Sequence, residues 1–187
     1  EGAIKIARRW GEVKLGGASC IVTAKQSFHG RTLATLAATG QDKFHESFQP
    51  MPAGFTTVPL NDIDALREAI DNPDDKTGPV CGVMLECVQG EGGVWPADYD
   101  YLRAVAKLCR KRHVLLLIDE VQTGFFRCGS PFMYQRAGIE PDIVSMGSQK
   151  NFDRFMAALS PADGQEAPLP NVADFKAMIA KAKLYRD

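Results

Sequence analysis

No stretch of the sequence follows GxxxxGK[ST], none follows GxGxxG, and no two cysteines form a CxxC pair. The first absence removes the phosphate cradle of a metal-nucleotide site, the second the dinucleotide fingerprint, and the third the common zinc and dithiol spacings. The three histidines are scattered, so no metal site is expected. Charge of neither sign is in excess: 22 basic against 23 acidic side chains leave a net −1, which offers no basic face to nucleic acid or anionic lipid. No apolar run approaches the roughly 20 residues of a membrane span. The five cysteines are odd in number and lie mostly in apolar surroundings, which reads as reduced thiols in a cytoplasmic protein. At 187 residues the chain is long enough for one domain with a proper core, since about 150 residues already bury some two-thirds of their unfolded surface.

What the chain does contain is organised around Val114-Leu115-Leu116-Leu117-Ile118-Asp119-Glu120, followed by Val121-Gln122-Thr123-Gly124. Five consecutive aliphatics without a polar interruption predict a central strand buried on both faces of a parallel sheet, because a half-exposed strand would alternate. Asp119 then stands at its carboxyl end, where open α/β sheets bind ligands. Three chemistries want an acid there. Metal-nucleotide and dinucleotide sites lack their loops in this chain, which leaves pyridoxal phosphate (PLP), whose protonated pyridine nitrogen pairs with a carboxylate. A structural aspartate capping the following turn is the plainer alternative.

The rest of the chain supplies strands and helices in alternation. Ala3–Trp10 carries apolar residues at helical spacing and predicts a helix stopped by Gly11. Cys20–Thr23 is a short strand, and a small-residue helix follows over roughly Thr32–Thr39. Phe55–Val58 is another strand, after which Asn61 is expected to cap a helix beginning at Ile63. Val80–Glu86 repeats the pattern of a buried strand ending in an acid, and so brings Glu86 and Glu91 to the same edge as Asp119. Asp98–Arg112 is an amphipathic helix, and Ile143–Met146 a last strand. Such alternation makes a parallel α/β sheet the economical architecture.

Three segments together resemble the class III aminotransferases of the acetylornithine/ornithine type: Ser27-Phe28-His29-Gly30-Arg31-Thr32, Glu86-Cys87-Val88-Gln89-Gly90-Glu91-Gly92-Gly93, and Leu117–Gly124 with Arg127 and Gly129. The resemblance covers about residues 1–146. It implies the large domain of a fold-type I PLP-dependent transferase, incomplete here, that passes an amino group to 2-oxoglutarate, with an amino acid and a 2-oxo acid as partners and a homodimer as the assembly. By the same resemblance Phe28 stacks on the cofactor ring, Asp119 meets the ring nitrogen, Val121 packs on the ring face, and Gln122 binds the phenolic oxygen. His29, Arg31 and Glu91 belong to the substrate subsite, Arg31 facing a carboxylate, while Glu86 is structural near the site. The turn holding the cofactor phosphate is expected to precede Glu1. Cys87 stands where the family has proline.

The family places its Schiff-base lysine 29 residues beyond the ring-binding aspartate, which is Ser148 here. Lys150 is the nearest candidate, but two residues along a strand displace a side chain by about 6.6 Å. The organisation expected is a partial transferase domain over 1–147, an irregular linker over 148–171 and a C-terminal helix over 172–187. Two readings stay open: an aminotransferase, or a non-catalytic remnant acting as a binding or interaction protein. A third, an ATPase using Asp119 and Glu120, lacks its phosphate loop.

Overall fold

A computed structural model describes residues 1–147, and the expectations for Ser148, Lys150, the 148–171 linker and the 172–187 helix lie outside the described residues. Strands β1 (Cys20–Ala24), β2 (Phe55–Val58), β3 (Val80–Glu86), β6 (Leu115–Asp119) and β7 (Ile143–Ser145) form one sheet in the order β2-β1-β3-β6-β7. All four pairings are parallel. Strand β3 is the middle one, and the Asp119 strand β6 lies between β3 and β7.

The unbroken apolar run of β6 has a direct explanation in two cores. Leu116 and Ile118 enter one cluster, with Leu66 of helix α3 (Ile63–Asp71), Leu102 and Val105 of α4 (Tyr99–Arg112), and Met133 and Ala137 of α5 (Met133–Ala137). Leu115 and Leu117 enter the other, with Ile4 and Ala7 of α1 (Gly2–Lys14) and Ala38 of α2 (Leu33–Ala38). A strand sandwiched between two helical layers has no water-facing side, so alternation disappears from its sequence.

Two expectations at helix ends are corrected. Helix α1 runs through Gly11 to Lys14, and Gly11 is buried within it. A Cβ there would collide with the Ala18 carbonyl and the Cys81 side chain, so this glycine serves a close approach to the sheet rather than a stop. Helix α3 is capped by Asp62, whose Oδ1 accepts the Ala65 N–H at 2.9 Å. Asn61 takes a left-handed φ of 64° and accepts the Asp98 N–H at 2.9 Å instead, linking the starts of α3 and α4. The small-residue helix lies where expected, Leu33–Ala38 between the capping residues Thr32 and Thr39.

A two-stranded antiparallel ribbon, β4 (Val88–Gln89) with β5 (Trp95–Pro96), rises from the carboxyl end of β3. It carries the Gly90–Val94 turn over the same edge where β1, β3 and β6 end. Among the described residues no helix is long and apolar enough to cross a membrane.

Candidate active site

Strands β3 and β6 end in register, Glu86 opposite Asp119. The loop after β1 reaches across both of them with two consecutive residues. The Phe28 N–H donates to Glu86 Oε2 at 2.9 Å, and His29 Nδ1 lies 2.9 Å from Asp119 Oδ2. An ionised carboxylate only accepts, so Nδ1 carries the hydrogen in this pair. His29 is further fixed by its own N–H, which donates to the Thr39 hydroxyl at 3.0 Å, and that hydroxyl donates to the Thr35 carbonyl. The other Asp119 oxygen accepts the Val121 N–H at 3.2 Å. Among the described residues each oxygen has one partner and so keeps a lone pair for a ligand.

Burial sets the electrostatics. Asp119 is 6% exposed and Glu86 3%. Desolvation pushes the Glu86 carboxyl up to about 7, against the pull of His29 and the Phe28 N–H, and the Asp119 and Glu91 carboxylates add to the rise. Glu86 therefore holds its proton close to neutrality.

The third segment arrives through the ribbon turn. Gly92 packs so tightly on the Gln26 carbonyl that a Cβ would collide with it, and Gly90 faces the Gln122 side chain, from which a Cβ would stand 3.5 Å. Gln89 donates to the Lys25 carbonyl at 2.8 Å, tying the ribbon to the end of β1. Phe28, Glu86, Glu91, Asp119, Val121 and Gln122 thus come to one edge of one sheet. Glu91, Val121 and Gln122 are exposed there, and Val121, an apolar side chain, is 43% open.

His29 departs from the channel-lining position that the resemblance suggests. Its side chain is fully enclosed and engaged with Asp119, which makes it a support for the acid. Arg31 is exposed, over the Phe28 ring at 5.5 Å and the Phe44 ring at 4.7 Å. Phe44, in the 3-10 turn Asp42–Phe44, was not visible as a site residue from sequence. Its only sequence signal is an aromatic in a polar turn, too common to single out. Glu120 points the other way: fully buried, it accepts from the Thr123 hydroxyl and from the Tyr134 N–H at 2.8 Å, pinning the Val121–Gly129 loop to α5. That engagement leaves no Asp-Glu pair for a nucleotide-bound metal, and no metal-binding group occurs among the described residues.

Comparison with known proteins decides the kinship. The sequence model of the class-III aminotransferases matches residues 1–153. The chain belongs to the class III aminotransferase family. Acetylornithine aminotransferase of Caldanaerobacter subterraneus subsp. tengcongensis is 50% identical over 147 residues, 78% of this chain and 36% of that protein. The Methanocaldococcus jannaschii acetylornithine aminotransferase is 44% identical over 188 aligned positions, covering all of this chain and 42% of the relative. Ornithine aminotransferase of Toxoplasma gondii, crystallized with partial occupancy of PLP at its active site, superposes with a TM-score of 0.71 at 30% identity, over 78% of this chain and 34% of that one. The chain therefore spans between about a third and two-fifths of the length of these aminotransferases.

PLP is the cofactor this family implies, and the residues present fit its ring. A buried carboxylate, oriented by a histidine and keeping free lone pairs at a strand end, suits a pyridinium N–H. His29 Nε2 is buried without a partner among the described residues, which keeps the hydrogen of this ring on Nδ1, toward Asp119.

Proposed function

We propose that this chain is the cofactor-binding part of an aminotransferase of the acetylornithine/ornithine type, which moves an amino group from an acylated or free diamino acid to 2-oxoglutarate. The observation that carries the proposal is the His29–Asp119 hydrogen bond at the carboxyl edge of the sheet, 2.9 Å long between residues 90 positions apart. Reduced thiols throughout, with all five cysteines free, agree with a cytoplasmic setting. The exposed Val94, Trp95, Val121 and Phe126 near the site edge agree with a homodimer partner or further chain covering that surface.

PLP supplies an electron sink for the carbanion left when the substrate α-proton departs. The chain's own residues then divide the work. Asp119 would accept the ring N–H and keep that hydrogen in place. His29 holds Asp119 in a single orientation and, being enclosed, keeps water from its Oδ2. Phe28 would wall one side of the ring, and its backbone is anchored on Glu86. Val121 would pack on the ring, and Gln122 would donate from its amide to the phenolic oxygen. Arg31 takes a substrate carboxylate with its planar donors, and Glu91 sorts the amino-acid side of the subsite. Glu86, holding a proton near neutrality, lets the site carry one negative charge fewer beside Asp119.

A second reading, a non-catalytic remnant, is favoured by serine at position 148, since serine offers no amine. Borohydride reduction of the full chain mixed with PLP, followed by peptide mapping and an assay with acetylornithine and 2-oxoglutarate, separates the two. Pyridoxyl-lysine at Lys150 with turnover lost in Lys150→Ala supports the enzyme, and no defined adduct with no turnover supports the remnant.

A further inference from the structure

Arg31 follows Gly30, whose φ of 133° lies where side-chain-bearing residues are strained, and whose Cβ would press on Thr35 Oγ1 at 2.6 Å. The sharp turn throws Arg31 outward while His29, one step earlier, stays buried. No ion pair or hydrogen bond engages Arg31 among the described residues. What it touches are two rings: Phe28 at 5.5 Å and Phe44 at 4.7 Å from the guanidinium carbon. The rings themselves meet edge to face, with centroids 5.6 Å apart and planes at 70°.

Both rings are carried on fixed backbone. Phe28 is tied to β3 through Glu86. Phe44 donates its N–H to the Gln41 carbonyl, Gln41 donates to the Ser27 carbonyl at 3.1 Å, and His45 Nε2 reaches the Leu36 carbonyl at 2.9 Å. The 3-10 turn is thereby bolted to α2 and to the Phe28 loop.

We propose that Phe44 is a positioning residue that holds the Arg31 guanidinium against Phe28, ready for a substrate carboxylate. An arginine side chain carries about 2 kcal/mol of rotamer entropy, and a ring that restricts it before binding reduces what the ligand must overcome. The ring face attracts the cation while the N–H donors stay open for a bidentate carboxylate. Leucine at 44 would keep the apolar bulk and lose the attraction, and tyrosine would keep both. The inference builds on the reading of Arg31 as the carboxylate receptor.

The experiment titrates 2-oxoglutarate, with its neutral dimethyl ester as control, into the full chain and follows the Arg31 Nε–Hε resonance, assigned by its disappearance in Arg31→Lys. In the free unsubstituted chain this resonance is expected upfield, under the ring currents. Phe44→Leu should move it downfield and weaken 2-oxoglutarate about fivefold, the scale of an exposed cation–π contact, with Phe44→Tyr restoring both. Should the leucine variant lose its far-UV signal, Phe44→Met takes its place. Unchanged shift and affinity in Phe44→Leu, or tyrosine behaving as leucine does, overturns the role of Phe44. If Arg31→Lys still loses the ligand in that case, the carboxylate reading stands alone. Binding indifferent to Arg31→Lys, or no preference for the acid over the ester, overturns both.

Discussion

Glu86 and Asp119 are partners across adjacent parallel strands, and the consecutive residues Phe28 and His29 bond one to each. Two acids brought together by register would repel if both were ionised. The protein places a histidine on one and leaves the other protonated close to neutrality, so the edge holds a single directed carboxylate.

That division makes stability depend on pH with a definite sign. The folded Glu86 titrates at about 7 against an ordinary 4.5. Its contribution is full below pH 4.5 and is lost as pH rises from there to about 7, because the unfolded chain releases this proton first. The size is about 3 kcal/mol, from 1.36 kcal/mol per unit. Urea denaturation across this window should show Glu86→Gln, which cannot ionise, falling less steeply with pH than the unsubstituted chain. Parallel slopes would rule Glu86 out.

Removing the histidine should leave Asp119 short of a buried partner. His29→Ala is expected to lower stability by about 2–4 kcal/mol, combining an unsatisfied buried acceptor with a cavity. The urea midpoint reports it. A loss under about 0.5 kcal/mol, the range of ordinary surface changes, would mean that the hydrogen bond does not form in solution.

Gly11→Ala separates two meanings of glycine. In an exposed helix interior the change gains about 1 kcal/mol. Here the new methyl meets the Ala18 carbonyl and Cys81, and overpacking of this kind costs about 1–3 kcal/mol. Thermal unfolding should show a lowered midpoint, and a raised one would mean that Gly11 occupies an uncrowded helical position with no close approach to Ala18 and Cys81.

The same residue shows where the sequence was readable. Strands β3 and β6 were legible because burial on both faces erases alternation, and the acids ending them were legible because strand ends locate ligands in parallel sheets. Gly11 was misread because a glycine selected for close packing looks the same in sequence as one selected for a turn. Asn61 and Asp62 are both good caps, and only their φ values decide between them. The β4–β5 ribbon has two residues per strand, too few for any period to register. At the site, the residues that the resemblance singles out lie at one edge, but the partnership of His29 with Asp119 spans 90 positions and Arg31 meets Phe44 through a turn with no apolar pattern. Contacts of that range are set by how the sheet stacks its strand ends, which no local signal records.

Asp62→Ala and Asn61→Ala should therefore behave differently. The first loses the α3 cap and costs about 1 kcal/mol in urea denaturation. Asn61→Gly, which keeps the left-handed backbone accessible, should be milder than Asn61→Ala. Equal losses for glycine and alanine at 61 would count against the observed turn.

Asp119, held by His29, is proposed to receive a pyridine nitrogen. PLP labelled with ¹⁵N in the ring and titrated into the full chain reads this directly through the ring-nitrogen shift. A saturable move to the pyridinium position is expected at a pH where free PLP is neutral at that nitrogen, lost in Asp119→Asn and weakened in His29→Ala. A ring nitrogen that stays neutral at saturation, or a pyridinium shift that survives Asp119→Asn, would contradict it.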